Sequence, residues 1–375
     1  MKNLTKIFMA VAVAMIAFAC ATDLTDDLGV QLGGGEGQTT ITVSLEESRT
    51  QLGEKDADGL YPIYWSEGDA ISVNGVASVA QISEENPAYA TFAVAEADKY
   101  ELAYPAANAG QVLFAEKQNH VAAGNTFESG VATMYGTGTI ENGFTLRHLT
   151  GVLKFAVVGD AVLSKIQVST SDRAPIAGAF NIDFKNGKLT ATEASKNVIE
   201  YSFGEAGLQL TADAQWMHVA VPAGKYDELY VTLYEQGNSG NIMYATVKAN
   251  DDPNTEKVEK PLTAGSVREF NTPITYSPNA QLFVIDSPER LTEFKIKIES
   301  EAGLTMDAIL TEDIDMTGYS WISIVGNKYT NTIYGNGYAI KGLTAPLFNT
   351  TVASFKGLHL EDVNINSNGV RVIGA

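Results

Sequence analysis

The feature that most constrains this chain is the rhythm of its apolar residues: they come in short runs that alternate between two faces and then break at a turn. Ile41, Val43 and Leu45 share one face while Thr42 and Ser44 share the other, the period-two pattern of a half-buried strand. Comparable runs recur at 90–94, 100–103, 111–114, 166–169, 179–183, 216–221, 229–234 and 242–247. Between such runs lie turn signals, among them Ser66-Glu67-Gly68-Asp69 and Asn74-Gly75, the latter a dipeptide that tolerates positive φ. Thirty-four glycines and sixteen tyrosines fit the same picture, and no long helical periodicity follows residue 20, so the expected class is all-β. Trp65, at the end of the run Tyr61-Pro62-Ile63-Tyr64-Trp65, reads as a core anchor rather than a ligand platform.

The rhythm divides the chain. A first antiparallel sandwich is expected over 39–143, and a second over 144–276. The second opens at Phe144-Thr145-Leu146-Arg147-His148-Leu149 and closes with a run at 267–275 before a Ser277-Pro278-Asn279 linker. The last part, 280–375, changes character. Ser287-Pro288-Glu289 places a cap, a proline at the first helical position and an acidic first turn together, which predicts one helix over 287–300. Beyond it, bursts such as Trp321-Ile322-Ser323-Ile324, Thr332-Ile333-Tyr334 and Ala339-Ile340 are punctuated by glycine and asparagine, the look of stacked rungs at the start of a β-helix. Two or three rungs fit before Ala375. The open end would leave backbone groups unpaired, so a truncated product or an unusual cap is expected.

The first twenty residues carry an address. Lys2 and Lys6 precede an apolar run from Ile7 to Ala19, too short to span a bilayer but suited to a cleaved signal peptide, and Cys20 follows. Cys20 is the only cysteine, so it has no intramolecular disulfide partner. Ala17-Phe18-Ala19-Cys20 resembles the lipobox of bacterial lipoproteins, which implies lipid attachment at Cys20 and anchoring by two or three acyl chains. Residues 21–38 form an acidic and glycine-rich linker. Asp23, Asp26 and Asp27 read either as a solvated spacer or, by resemblance, as the signal that sends lipoproteins to the outer face of the outer membrane. The formal charge is −20; without Lys2 and Lys6, 23 basic residues face 45 acidic ones, a net −22. Nucleic acid is excluded as a natural partner for such a surface.

From about Thr39 to Tyr276 the chain resembles the fimbrillin-like family of lipoprotein pilins and adhesins. The resemblance rests on Arg49-Thr50-Gln51-Leu52-Gly53-Glu54-Lys55, Tyr64-Trp65-Ser66-Glu67-Gly68-Asp69, Ile71-Ser72-Val73-Asn74-Gly75, Leu146-Arg147-His148-Leu149 with Gly151-Val152-Leu153, and Val219-Ala220-Val221-Pro222-Ala223-Gly224. It implies two transthyretin-like β-sandwich domains. It also implies assembly by strand exchange, in which a trypsin-like protease cuts after an arginine and a neighbour's strand fills the groove. Arg49 and Thr50 are the matching positions. The tail resembles the glycine-rich β-helix segments of surface adhesins through Leu310-Thr311-Glu312-Asp313-Ile314-Asp315-Met316, 333–343 and Leu347-Phe348. A module after the second sandwich departs from shaft pilins and favours a tip, accessory or stand-alone subunit.

Enzymatic signals are weak. His120, His148, His218 and His359 lack metal-ligand spacing. Asp56-Ala57-Asp58-Gly59 and Asn250-Asp251-Asp252 do not continue into a full calcium loop. Asp313 and Asp315 share a strand face, and no basic residue or third acid is expected to be placed beside them there. No catalytic residue, metal or cofactor is expected. Two readings remain: a surface lipoprotein of the outer membrane or fimbrium acting in pilus assembly or adhesion with other pilin subunits, or a glycan-binding surface lipoprotein using Trp65, Trp216, Trp321 and the tyrosines.

Overall fold

The computed structural model describes residues 37–45, 64–122, 126–226, 228–237, 241–248, 261–277 and 282–365. Strands dominate them, and one α-helix occurs, so the chain is all-β.

Eight strands form the first sheet, in the order Val76–Val79, Ala70–Val73, Tyr100–Tyr104, Met134–Gly138, Phe144–His148, Gln38–Leu45, Tyr89–Ala95 and Gln81–Ile82. The two ends of this path are adjacent in sequence, and Ser78 Oγ donates to the Ala93 carbonyl at 2.9 Å, so the sheet curls back on itself. The alternation read in the sequence is what fills it: Ile41, Val43, Phe92, Leu102 and Leu146 point inward and are fully buried. Asn74 and Gly75 make the tight turn between two of its strands, with φ of 51° and 84°. Phe144–His148 belongs here, pairing in parallel with Gln38–Leu45 and antiparallel with Met134–Gly138. The division between 143 and 144 is therefore corrected: the chain leaves this sheet only at Leu149.

The second unit sets two sheets face to face. One contains Gln215–Pro222, Thr150–Val158, Val267–Glu269 and Ile274–Thr275; the other contains Ile242–Lys248, Glu228–Glu235, Val162–Thr170, Val198–Ser202 and Leu208–Gln209. Phe155 and Val219 from the first meet Ile166 and Val231 from the second in one core. Gln111–Phe114, read with the first unit, pairs instead with Ala177–Asp183, and Lys117–Asn119 adds in parallel to Val198–Ser202. The two units thus interlock. Gln118 seals the side of the sandwich: its buried amide donates to the Ala220 carbonyl at 2.7 Å and accepts from the Ala220 amide at 2.9 Å, so a side chain supplies the bonds a neighbouring strand would make.

The tail is built from parallel ladders. Phe283–Ile285, Ala308–Leu310, Thr332–Tyr334 and Ser354–Lys356 stack in one; Ile314–Asp315, Ala339–Lys341 and His359–Glu361 in a second; Ile324–Gly326 and Phe348–Thr351 in a third. Phe283 aligns with Ala308 and Ala308 with Ile333, a step of 25 residues at each turn. Ile314, Ile324, Ile340 and Phe348 fill the shared interior. The helix Pro288–Glu299 starts where predicted: Ser287 Oγ accepts from the Arg290 amide at 3.3 Å. Leu291, Phe294 and Ile298 face the same interior, burial that stabilises by roughly 1.5–3 kcal/mol per side chain. Glu299 Oε1 accepts from the Val325 amide at 2.9 Å, so the helix lies over the first strand of the third ladder and caps that end of the stack.

Candidate functional site

Two places gather features that a surface protein could use. The first is the strand Gln38–Leu45. It lies inside its sheet, not at an edge. Its antiparallel partner Tyr89–Ala95 pairs from Gln38 with Ala95 to Ser44 with Tyr89, and its parallel partner Phe144–His148 pairs Val43 with Phe144 and Leu45 with Leu146. Ser44 Oγ donates to the Phe144 carbonyl at 3.2 Å and meets Thr145 Oγ1 at 2.9 Å. Ile41, Val43 and Leu45 are buried against a core in which the Trp65 ring stands edge-on to Phe92 and Tyr104 at 5.2 and 5.6 Å. Their burial is worth about 1.5–3 kcal/mol each, so the strand is a substantial part of the unit's core.

The motifs quoted for the family resemblance serve this framework. Asp69 accepts from the Ser66 amide at 2.7 Å and from the Tyr104 hydroxyl at 2.8 Å, fixing the turn after Trp65; burial raises its carboxyl despite those bonds. His148 is buried inside its strand, and burial lowers its imidazole to about 4. Gly151 is bare because Leu262 packs on it: a Cβ there would stand 2.5 Å from Leu262 Cγ. Pro222 holds the Tyr226 hydroxyl at 2.6 Å through its carbonyl.

Cys20, Arg49 and Thr50 lie outside the described residues, as do Asp56-Ala57-Asp58-Gly59 and Asn250-Asp251-Asp252. His218 is buried and lowered to about 4, first by desolvation and then by Lys154 and His120, so two of the four histidines do share a neighbourhood. Among the described residues no group of three His, Cys, Asp or Glu side chains could hold a metal, and no helix is long and apolar enough to cross a membrane. Trp65 and Trp321 are buried at 4% and 6% exposure, the latter donating to the Pro346 carbonyl at 3.1 Å. Trp216 is half-exposed but carries the Lys154 ammonium 4.3 Å over its ring. The three tryptophans form no shared platform.

The second place is the seam between the second unit and the tail, which the sequence did not announce. The outer face of the sheet Glu228–Glu235 and Ile242–Lys248 meets the outward side of the first ladder: Tyr244 lies between Tyr230 and Tyr334 with ring centroids 5.4 and 4.3 Å away. Asn336, buried and at φ 52°, accepts from the Thr232 hydroxyl at 2.7 Å and donates to the Leu310 carbonyl at 3.3 Å. Gln167 donates to the Tyr338 hydroxyl at 3.0 Å. Arg173 reaches three successive coils, donating to the Gly337 carbonyl at 3.0 Å and to Asp313 at 3.2 Å and pairing with Glu361. Lys341 binds Asp313 at 2.7 Å. Basic groups therefore do stand beside Asp313, contrary to the sequence reading. Burial alone would raise its carboxyl, but the bonds from Lys341 and the Ala339 amide and the Arg173 charge bring it below the usual range, the opposite of what a general acid needs. The only sequence trace of this seam is Asn336-Gly337, a turn dipeptide inside an apolar burst.

No family model matches the chain, and no curated protein does. Among solved structures it is similar to a "putative cell adhesion protein" from Bacteroides uniformis ATCC 8492, at 14% identity and a TM-score of 0.35, covering 65% of this chain and 94% of that one. A second such protein, from Bacteroides fragilis NCTC 9343, aligns at 10% identity and a TM-score of 0.33 over 64% of this chain and 95% of that one. A fimbrial protein from Bacteroides ovatus ATCC 8483 aligns at 10% identity and a TM-score of 0.24, covering 65% of this chain and 51% of that one. At these identities and scores the likenesses assign the chain neither a family nor a function.

Proposed function

We propose that this chain is a surface adhesin of fimbrillin type, anchored in the outer membrane through lipidated Cys20 and able to join other pilin subunits by exchanging its first strand. The observation that supports it most is the placement of Gln38–Leu45. Removing this strand would open a slot between Tyr89–Ala95 and Phe144–His148, with an apolar floor spaced for every second residue of an incoming strand. In sequence, Arg49 follows four residues after its end, and an Arg-Thr bond is of the type a trypsin-like protease cuts. The finer fold reading belongs to the same proposal: the opposed sheets of the second unit support a transthyretin-like sandwich, and the three parallel ladders support a short β-helix. A module beyond the second unit favours a tip, accessory or stand-alone role over a shaft. The glycan-binding alternative built on the tryptophans loses its motive, since two of the three are buried.

The test is intact mass and N-terminal mapping of the protein from native outer membranes, before and after mild trypsin. A major species starting at Thr50 that appears together with higher oligomers is the expected result. A chain that keeps an acylated Cys20 in every oligomeric state removes strand exchange and leaves a tethered adhesin.

A further inference from the structure

Three cavities lie end to end along the seam between the second unit and the tail. One, of about 510 Å³, opens between Ile242 and Val284 and shares Lys165, Tyr234 and Thr311 with the next. That one, of about 480 Å³ beside Asp286, shares Gln167 and Glu312 with the third, of about 600 Å³, which runs on past Thr192 and Ser195. The shared residues make them one groove. Each cavity alone has the size of a small-ligand pocket, so the three in line suit a chain rather than a single small molecule. Its two walls come from different parts of the fold and are pinned by Gln167 to Tyr338 and by Arg173 to Gly337 and Asp313, so the groove is held open by the protein itself.

Its chemistry narrows the occupant. The strand Val162–Thr170, which supplies Lys165 and Gln167, is paired on one side with Val198–Ser202 and on the other with Glu228–Glu235. It has no free edge to which an extended peptide could add as a strand. The edge strand Lys188–Lys196 lines the third cavity, but it is bulged there, and the Thr192 and Ala194 amides already donate to Ser195 Oγ at 2.9 Å and to Thr192 Oγ1 at 3.1 Å, so it offers no regular ladder either. Eight carboxylates, among them Asp286, Glu312 and Glu200, line the three cavities against five basic side chains, among them Lys165 and Lys341; this net acidic lining, on a chain of formal charge −20, disfavours phosphate, sulfate and uronate. Glu312 makes no hydrogen bond to the described residues, and its charge is partly offset by Lys165. Carboxylate, amide, ammonium and hydroxyl groups thus share the walls, while Val284 and the Tyr234 ring, which carries the Lys165 ammonium 5.1 Å from its centroid, give one end a part-apolar side. Sugar hydroxyls donate and accept at once, and sugar rings present a C–H face. We propose that the seam groove binds a neutral, hydroxyl-rich polysaccharide chain. This deepens the adhesive reading by naming a ligand class and is independent of strand exchange.

The test is affinity electrophoresis of the full chain through gels holding neutral polysaccharides (β-glucan, xylan, galactomannan or starch) or heparin, with polylysine as a competitor. The variants are Thr311→Trp, which fills the junction of the first two cavities, and Glu312→Ala, which removes a carboxylate without breaking a framework bond. Retardation by at least one neutral polysaccharide and not by heparin is expected. Each variant should weaken it about tenfold or more, the scale of one well-placed group lost, at an unchanged melting temperature. No retardation by any neutral polymer overturns the proposal, as does retardation that Thr311→Trp leaves intact or that polylysine abolishes. A variant that melts early is replaced by Thr311→Phe, read the same way. N-terminal mapping reads strand exchange separately, so the two proposals fail independently.

Discussion

The second unit and the tail both enclose a large apolar core, but they do so by opposite routes. In the second unit, strands of up to nine residues pair mostly antiparallel, and each presents a whole row of side chains to the core. In the tail, strands of two to four residues contribute one or two inward residues each, and each partner lies one coil of 20 to 26 residues away. Long strands make a sheet that stands by itself. Short rungs need support at their ends and along their side. The helix gives the tail the first, and the tyrosine-faced sheet of the second unit gives it the second.

The strongest way to break this contrast is to separate the two. Residues 282–375 expressed alone should show no cooperative thermal transition by circular dichroism, whereas residues 37–277 should keep one; a folded isolated tail would mean that its coils need no splint. Next come matched truncations in the two cores. Phe155→Ala and Phe348→Ala each remove a fully buried ring, at a cost of about 3–5 kcal/mol. In hydrogen exchange, the first should raise opening across the whole chain, the second only in the coils.

Acid sharpens the comparison further. His148 and His218 are lowered to about 4 in the folded state against a reference of 6.5, so the unfolded chain takes up protons first. Their contribution is whole above pH 6.5 and is lost as pH falls toward 4. Melting temperature should therefore drop over that window, and His148→Gln should flatten the drop by up to about 3 kcal/mol. Neither residue is in the tail, which has one histidine, the part-buried His359, also lowered by burial, and whose Asp313 stays ionised to lower pH than usual. The smallest effect is expected at the seam. Asn336→Ala strands the Thr232 hydroxyl and the Leu310 carbonyl, costing about 1–3 kcal/mol, and should loosen the coils against the sheet without changing the melting of 37–277.

What the sequence disclosed, and what it withheld, follows from where each pattern gets its cause. Gln111–Phe114, the Asn74-Gly75 turn and the Ser287 cap are local, set by alternation, by positive φ and by a hydroxyl facing a free amide. The strand Lys188–Lys196 leaves no such trace, because it is an edge strand with no fully buried position and carries no apolar stripe. The partner of Gln111–Phe114 could not be read either, since alternation says which face is buried and not which strand lies beside it. Arg173 and Asp313 are 140 residues apart, and only the fold brings them together. The strand Gln38–Leu45 was legible as a strand, but its place inside the sheet was not.

That same threading sets a timetable. The first unit needs Phe144–His148 to flank its opening strand, and the segment 111–119 cannot find its partners until residues near 183 and 202 exist. A hairpin such as Ala70–Val73 with Val76–Val79 can form as it emerges, but neither unit can complete its sheets until later sequence arrives. Commitment to the native state waits for distant sequence, as it does wherever contacts are long-range.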